Sequence, residues 1–117
     1  MIVRGSLEQI KEDVKQRLQN YTYFALGTDD TAPTLDDTAL KAEFFRKAVT
    51  EIKVAADTVL YRCYVSTTEA NGYTIKEFGL FDSDAGGNML LRQVIGGITK
   101  TEDMDIWFEL EVGINVS

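Results

Sequence analysis

The feature that most constrains the fold is the stretch 73–93, which has the pattern of an antiparallel β-hairpin. Residues 74–81 form the first arm, 82–88 the turn and 89–95 the second arm. The turn is rich in Asp, Asn and paired Gly, which tolerate the positive φ angles of tight turns. Both arms are apolar and aromatic, as half-buried strands require. The sequence therefore predicts a β-rich fold organised around this hairpin.

The last segment shows the most regular alternation in the chain. Apolar residues occupy every second position: Ile106, Phe108, Leu110, Val112, Ile114 and Val116. This period of two predicts a long strand over 106–116 with one buried and one wet face, which can bridge a sandwich or pair beyond its own domain. Trp107 interrupts the wet face. It is either covered by a loop or the N-terminal helix, or it is an aromatic anchor in a subunit interface, where Trp is enriched.

A second hairpin is predicted earlier in the chain. Residues 49–55 and 59–66 have strand composition, and Ala56-Asp57 forms the turn between them. The apolar run 21–26 predicts a strand buried on both faces.

The two remaining segments are residues 39–48 and the Gly96-Gly97 pair. Residues 39–48 have helical composition, but Phe44-Phe45 could equally open an extended segment, so both alternatives stay open. Gly96-Gly97 is expected to end the second arm of the central hairpin.

Residues 6–20 are predicted to form an amphipathic helix. Ser6 and Gln9 have the spacing of a capping box at its start. Its narrow apolar stripe consists of Leu7, Ile10, Val14 and Leu18. Such a stripe packs either on the chain's own sheet or on a neighbouring subunit.

These elements define the expected fold class and domain organisation. The chain of 117 residues, with 44% hydrophobic and 26% charged residues, fits one domain spanning 1–117. We expect a mainly β fold (α+β by element count), an antiparallel β-sandwich with one N-terminal amphipathic helix packed against it. The sandwich module covers 21–117 and includes a loop over 27–38 that contains the single proline.

The residue inventory argues against an enzyme. The chain has no histidine, so Ser-His and Cys-His nucleophile systems and histidine-ligated zinc sites are excluded. Its carboxylates are expected in turns and on the wet face of the last strand. The single cysteine, Cys63, alternates with Tyr61 and Val65, which favours a buried, inert thiol. We therefore expect no catalytic residue and no cofactor.

Charge and hydropathy limit the partners. The net charge is −7 and no basic stripe occurs, which disfavours nucleic-acid binding. No apolar run reaches the length of a membrane helix, so no membrane contact is expected. The first residues lack the apolar core of a secretion signal, which predicts synthesis in the cytosol.

Acidic loops raise the question of a metal site. The turn 82–88 has oxygen-bearing residues at alternate positions, but Gly86 and Gln93 stand where a calcium loop places ligands. A hairpin turn explains this segment better. Loop solvation likewise explains Asp29-Asp30 and Asp36-Asp37, so no metal site is predicted.

Four segments in succession carry a resemblance: 23–33 (YFALGTDDTAP), 37–40 (DTAL), 69–72 (EANG) and 76–82 (KEFGLFD). They resemble small virion proteins of tailed bacteriophages and prophages, described as tail-fibre or tail structural proteins. Residues 77–82 also resemble the E-x-GLFD signature of tail-collar fibre N-terminal domains. The chain departs from the pattern at Asp29, where such sequences often have Gly. We expect no fibre shaft and no receptor-binding tip.

The resemblance implies a non-enzymatic structural virion protein, made in the host cytoplasm. It implies an oligomeric tail or fibre-attachment, baseplate or neck component that contacts copies of itself, as a trimer or ring, and other virion proteins. The alternatives are a capsid-surface decoration protein, or a small carbohydrate-binding module that uses Trp107 and the acidic loops. The candidate subunit-interface residues are Trp107, Leu7, Ile10, Val14 and Leu18.

Overall fold

The computed structural model describes residues 3–115. Within them, one helix, α1 (Arg4–Leu18), precedes seven strands. The strands are β1 (Tyr23–Gly27), β2 (Glu43–Ala48), β3 (Glu51–Val54), β4 (Thr58–Val65), β5 (Thr74–Phe81), β6 (Met89–Thr99) and β7 (Ile106–Gly113). They form two sheets, sheet A in the order β2-β1-β5-β6 and sheet B in the order β3-β4-β7, with every pair antiparallel. The mainly β, sandwich-like fold with one N-terminal helix is confirmed.

The central hairpin is confirmed as the β5–β6 pair. The expected break at Gly96-Gly97 is wrong, because β6 continues through the glycines to Thr99. Ile75 pairs with Ile98 and Glu77 with Val94, so one residue of β5 lies opposite three of β6 in a bulge. Gly97 takes a φ of +88° there, which a side chain would resist. The glycines therefore bend the strand instead of ending it.

The second hairpin, β3–β4, is also confirmed, although β3 is shorter than the predicted 49–55. The chain changes sheets just before β3. The Val49 N–H donates to the Thr22 carbonyl beside sheet A, and the Thr50 N–H donates to the Arg62 carbonyl in sheet B. Segment 39–48 becomes a strand from Glu43, so the extended alternative is correct and the helical one is wrong.

The main core lies between the two sheets. From sheet B, β4 contributes four side chains that are completely buried: Val59, Tyr61, Cys63 and Val65. Phe24, Leu26, Phe78 and Leu80 of sheet A pack in the same cluster. The strict alternation along β4 matches the sequence pattern.

A second, smaller core lies on the outer face of sheet A. The irregular segment 28–42, longer than the predicted loop 27–38, crosses this face and buries Leu40 against Ala25 and Phe81. A Cβ on Gly79 would approach Leu40 to 2.9 Å, so the glycine makes room for this contact. Because sheet A is covered on both sides, the prediction that β1 is buried on both faces is confirmed.

Helix α1 departs from its predicted bounds of 6–20. It begins at Arg4 with Val3 as N-cap, and no side chain caps it, so the predicted Ser6–Gln9 capping box is wrong. The helix ends at Leu18, whose carbonyl accepts a hydrogen bond from the buried Tyr61 hydroxyl. Only the C-terminal half of the helix is anchored to the sandwich in this way.

Strand β7 confirms the predicted alternation. Its even-numbered residues are half-buried and its odd-numbered residues are exposed. The strand ends at Gly113, earlier than predicted, and Val116 lies outside the described residues.

Burial determines the reactivity of Cys63. Its side chain is completely buried, and burial raises the pKa of the thiol to about 12. We expect the native protein at pH 8 to resist a thiol reagent that modifies it fully in denaturant, because the thiolate is the reactive species. Rapid labelling of the native protein would contradict the buried position of β4.

Candidate functional site

Two opposite charges lie buried under segment 28–42. Glu77 on β5 is completely buried, and the Arg92 side chain on β6 is 1% exposed. The Arg92 Nε donates to Glu77 Oε1 at 2.8 Å. The expectation that carboxylates occupy only turns and the wet face of the last strand is therefore wrong for Glu77.

Glu77 fastens both ends of segment 28–42 to the sheet. Its Oε2 accepts hydrogen bonds from the Asp29 N–H at 3.2 Å and the Ala42 N–H at 2.8 Å. Its Oε1 accepts the Lys41 N–H at 2.9 Å. Together with Arg92, four donors satisfy the two carboxylate oxygens, which offsets the cost of burying the charge.

Arg92 holds the same segment nearer its middle. One terminal nitrogen donates to the Thr31 carbonyl at 2.7 Å and lies 3.5 Å from the Asp37 carboxylate. The other lies 3.4 Å from the Asp29 carbonyl and 3.5 Å from its carboxylate. A single buried guanidinium therefore joins the sheet to three points of the covering segment.

The aspartates of the segment shape its turns. Hydrogen bonds from Thr31 hold the pKa of the Asp29 carboxyl below its usual range. The Thr34 backbone N–H has the same effect on the pKa of Asp37. Both carboxylates accept hydrogen bonds from nearby backbone groups, as is usual for Asp in loops.

The turn 82–88 is closed in the same manner. Asp82 accepts both the backbone N–H and the side-chain amide of Asn88, at 2.7 and 2.9 Å. These bonds, the side-chain one foremost, lower the pKa of Asp82. The predicted hairpin turn is confirmed.

Residues 77–82 combine several structural roles. Glu77 anchors the covering segment, Gly79 leaves room for Leu40, and Asp82 closes the turn. Leu80 and Phe81 point to opposite faces and fill the two cores. This stretch therefore builds the three-layered region of the fold.

The sequence did contain a signal for the buried pair. The first arm of the predicted hairpin carries Lys76 and Glu77 among apolar residues, and the second arm carries Arg92 as its one charged residue. In the observed register Arg92 lies opposite Gly79, two residues from Glu77 and therefore on the same face. The sequence reasoning missed the pair because it treated carboxylates as solvated.

A second buried cation lies at the other end of β6. Lys100 is completely buried, and its ammonium donates to Asn71 Oδ1 at 2.7 Å and to the Thr101 carbonyl at 2.8 Å. It ties the loop before β5 to the end of β6, which is a structural role.

Trp107 lies on the outer face of sheet B and is 46% exposed. Neither a loop nor the helix covers it, so that interpretation is wrong. Instead the neighbouring strand β4 flanks it, with the Tyr64 ring 4.8 Å away and the Arg62 guanidinium 4.6 Å from the ring centre. Arg62 also pairs with Glu109 at 2.9 Å. Trp107 is therefore held in place but accessible.

The four candidate interface residues of α1 lie away from Trp107. Leu18 is buried and Val14 packs on the core, whereas Leu7 is half-buried and Ile10 is 40% exposed. The helix is tied to the β3–β4 turn, where Lys11 pairs with Asp57 at 2.8 Å. Trp107 pairs with Tyr64, at the opposite end of β4. The five candidate interface residues therefore do not form one surface.

One side of the sandwich is open. Strands β6 and β7 are both at the edge of the sheets that residues 3–115 form. A cleft of about 160 Å³ runs between them, lined by residues that include Ile95, Phe108 and Leu110. Every inward-facing residue of β7 is only half-buried, whereas those of the adjacent β4 are completely buried. The core is therefore incompletely covered on this side.

A groove follows the other face of β6. It measures about 450 Å³ and lies between residues 89–92 and residues 33–37 of the covering segment. Leu35, at the tip of that segment, is fully exposed. The buried Glu77–Arg92 pair thus holds an apolar side chain out in solvent beside the free edge of β6.

Neither a metal-binding cluster nor a membrane-spanning helix occurs among residues 3–115. In this range no three His, Cys, Asp or Glu side chains are placed to hold a metal ion. The helix of the described chain is too short and polar to span a bilayer. The absence of an enzymatic activity and of a cofactor stays a prediction.

Comparison with known proteins adds no assignment: no family model matches the chain, and no curated protein is significantly similar to it.

Proposed function

We propose that this chain is a non-enzymatic structural protein of a tailed-phage or prophage virion, which assembles with copies of itself and with neighbouring virion proteins. Within the particle, we propose that it is a tail or fibre-attachment, baseplate or neck component. The alternative is a protein that decorates the capsid surface. The observation that carries the proposal is the open β6–β7 side, where the core of an otherwise well-packed sandwich is left half-covered.

The overall dimensions support association. The radius of gyration is 15.7 Å, against about 13 Å for a compact domain of this length. The accessible surface is 6987 Å², whereas a compact monomer of this mass exposes about 6,400 Å². The excess of about 600 Å² approaches the ~800 Å² that each partner buries in a standard interface.

The distribution of apolar surface also supports association. Val3 and Ile10 continue the apolar stripe of α1 and are 62% and 40% exposed. Trp107 is 46% exposed and Leu35 is fully exposed. Aromatic and aliphatic side chains held on a rigid scaffold are typical anchors of protein–protein contacts.

The resemblance of the segments 23–33, 37–40, 69–72 and 76–82 supports the virion assignment. Residues 77–82 match the E-x-GLFD pattern of this resemblance, and in this chain Glu77 and Gly79 hold segment 28–42 beside β6. The proposed assembly surface and this part of the resemblance therefore lie on the same hairpin.

Two measurements test the proposal. Sedimentation equilibrium across micromolar concentrations is expected to give a mass above that of the 13.1 kDa monomer. Mass spectrometry of purified particles from the source phage or induced prophage is expected to detect the chain. A strict monomer that is absent from the particles would contradict the proposal.

Carbohydrate binding is the second candidate, because Trp107 presents an exposed aromatic surface beside Tyr64. The aspartates of segment 28–42 lie on the outer face of sheet A, whereas Trp107 lies on the outer face of sheet B. A sugar site would therefore use Trp107 without those aspartates. A glycan array with the wild type and Trp107→Ala tests it, and equal binding by both proteins would exclude a site at Trp107.

A further inference from the structure

We propose that copies of this chain meet at the open side, with the β6 edge of one copy beside the β7 edge of the next. The inference rests on the proposed self-assembly and specifies its contact. It follows from which edges are free, how they are charged and where the two cavities along β6 lie.

Both sides of the described sandwich end in edge strands, and the two sides differ in charge and in how the strands are placed. On the far side the chain passes directly from β2 to β3 through Val49 and Thr50, which hydrogen-bond to sheets A and B in turn. These two edge strands are rich in charge: β2 carries Glu43, Arg46 and Lys47, and β3 carries Glu51 and Lys53. Such charges protect an edge against pairing. Strands β6 and β7, by contrast, end their sheets next to each other across the cleft.

The β6 edge lacks the usual protection against pairing. Its 11 residues contain no proline, and their only charge, Arg92, is buried against Glu77. Natural edge strands are commonly protected by exposed charges, by proline or by bulges. Here the bulge at residues 95–97 protects only the second half, so the first half is free to pair with another strand.

The β7 edge carries charge and therefore selects its partner. Glu109 and Glu111 lie on its exposed face. Two β7 edges pairing with each other would place these carboxylates close together, which is unfavourable. Pairing β7 with the uncharged edge of β6 avoids that repulsion, so unlike edges are expected to meet.

Both cavities along β6 fit this arrangement. The 160 Å³ cleft lies on its inner face beside Gln93 and the 450 Å³ groove on its outer face beside Leu35. A strand placed along the β6 edge would run between the two cavities. It would cover the half-buried Phe108 and Leu110 and lie against Leu35.

Contact between unlike edges is heterologous, and repeated contacts of this kind close into a ring when the rotation permits. With the open sides facing the rotation axis, the apolar cleft of every copy would be buried near that axis. The expected assembly is therefore a closed ring of few subunits.

Two single substitutions test the contact by sedimentation equilibrium. Leu35→Glu and Gln93→Glu each add a carboxylate to the β6 side, at positions that are exposed in the single chain. Each is expected to raise the dissociation constant of self-association by at least about tenfold, because the contact would desolvate the new carboxylate. Leu35→Glu places this charge beside the outer groove, and Gln93→Glu places it in the inner cleft.

Ala85→Glu is the matched control. It makes the same change in charge in the exposed turn 82–88, whose Ser83 and Gly86 carbonyls accept hydrogen bonds from Arg46 on β2, the opposite edge strand of sheet A. This variant is expected to assemble like the wild type. If all three variants assemble with the wild-type constant, the β6–β7 contact is wrong and the proposed self-assembly stands. If the wild type itself stays monomeric, the proposed self-assembly fails and this contact fails with it.

Discussion

Replacing Arg92 with methionine is expected to lower the free energy of unfolding by about 3–5 kcal/mol, because it leaves the Glu77 carboxylate buried without its counter-charge. The side chains are 1% and 0% exposed, so little solvent is at hand to compensate. The variant also loses the bonds that Arg92 makes to Thr31 and Asp29. Urea unfolding at fixed protein concentration measures the loss.

Arg62→Met is the control for this prediction. Arg62 also pairs with two carboxylates, Glu51 and Glu109, but its side chain is 30% exposed on the outer face of sheet B. Exposed pairs contribute about 0–1 kcal/mol, so this variant should unfold close to the wild type. Equal losses of unfolding free energy in the two variants would show that the buried Glu77–Arg92 pair stabilises the protein no more than an exposed pair does.

Gly27→Ala is expected to cost about 2–3 kcal/mol, a large effect for one methyl group. A Cβ at Gly27 would overlap the Glu77 carboxylate, lying 2.6 Å from its Cγ. Glu77 cannot move aside without breaking its bonds to Asp29, Lys41 and Ala42. The substitution therefore disturbs the anchor of the whole covering segment.

Thermal unfolding monitored by circular dichroism measures this effect, with Gly113→Ala as the control. A Cβ at Gly113 meets nothing within 4 Å, so the control should be nearly neutral. A Gly27→Ala protein as stable as the control would mean that Glu77 is not fixed as described.

The strands could be predicted from the sequence because their side chains face either a core or solvent. The alternation in β4 and β7 and the apolar arms of β5 and β6 follow directly from that division. Errors arose where tertiary contacts decided the outcome. Gly96-Gly97 does not end β6, because β5 continues to pair beyond it. Helix α1 starts at Arg4, before the predicted cap residue Ser6, and has no side-chain cap.

The candidate site was harder to predict, since its parts belong together only after pairing. Nothing local distinguishes Glu77 from a solvated carboxylate, and its partner Arg92 is 15 residues away. Which strands lie at the free edges depends on the order of strands in each sheet, and the alternation of apolar and polar residues does not specify that order. Trp107 was singled out correctly as unusual, but its neighbours on β4 follow only from the β4–β7 register.

Hydrogen exchange on the edge strands tests the central claim most directly. In a closed assembly of the wild type, two sets of outward-pointing amides should be protected: those in the first half of β6 and those of β7. The same amides should exchange much faster in Gln93→Glu at the same protein concentration. Amides of β1, which lies between two strands, should be equally slow in both proteins. Fast exchange along both edges in the wild type would contradict assembly through the open side.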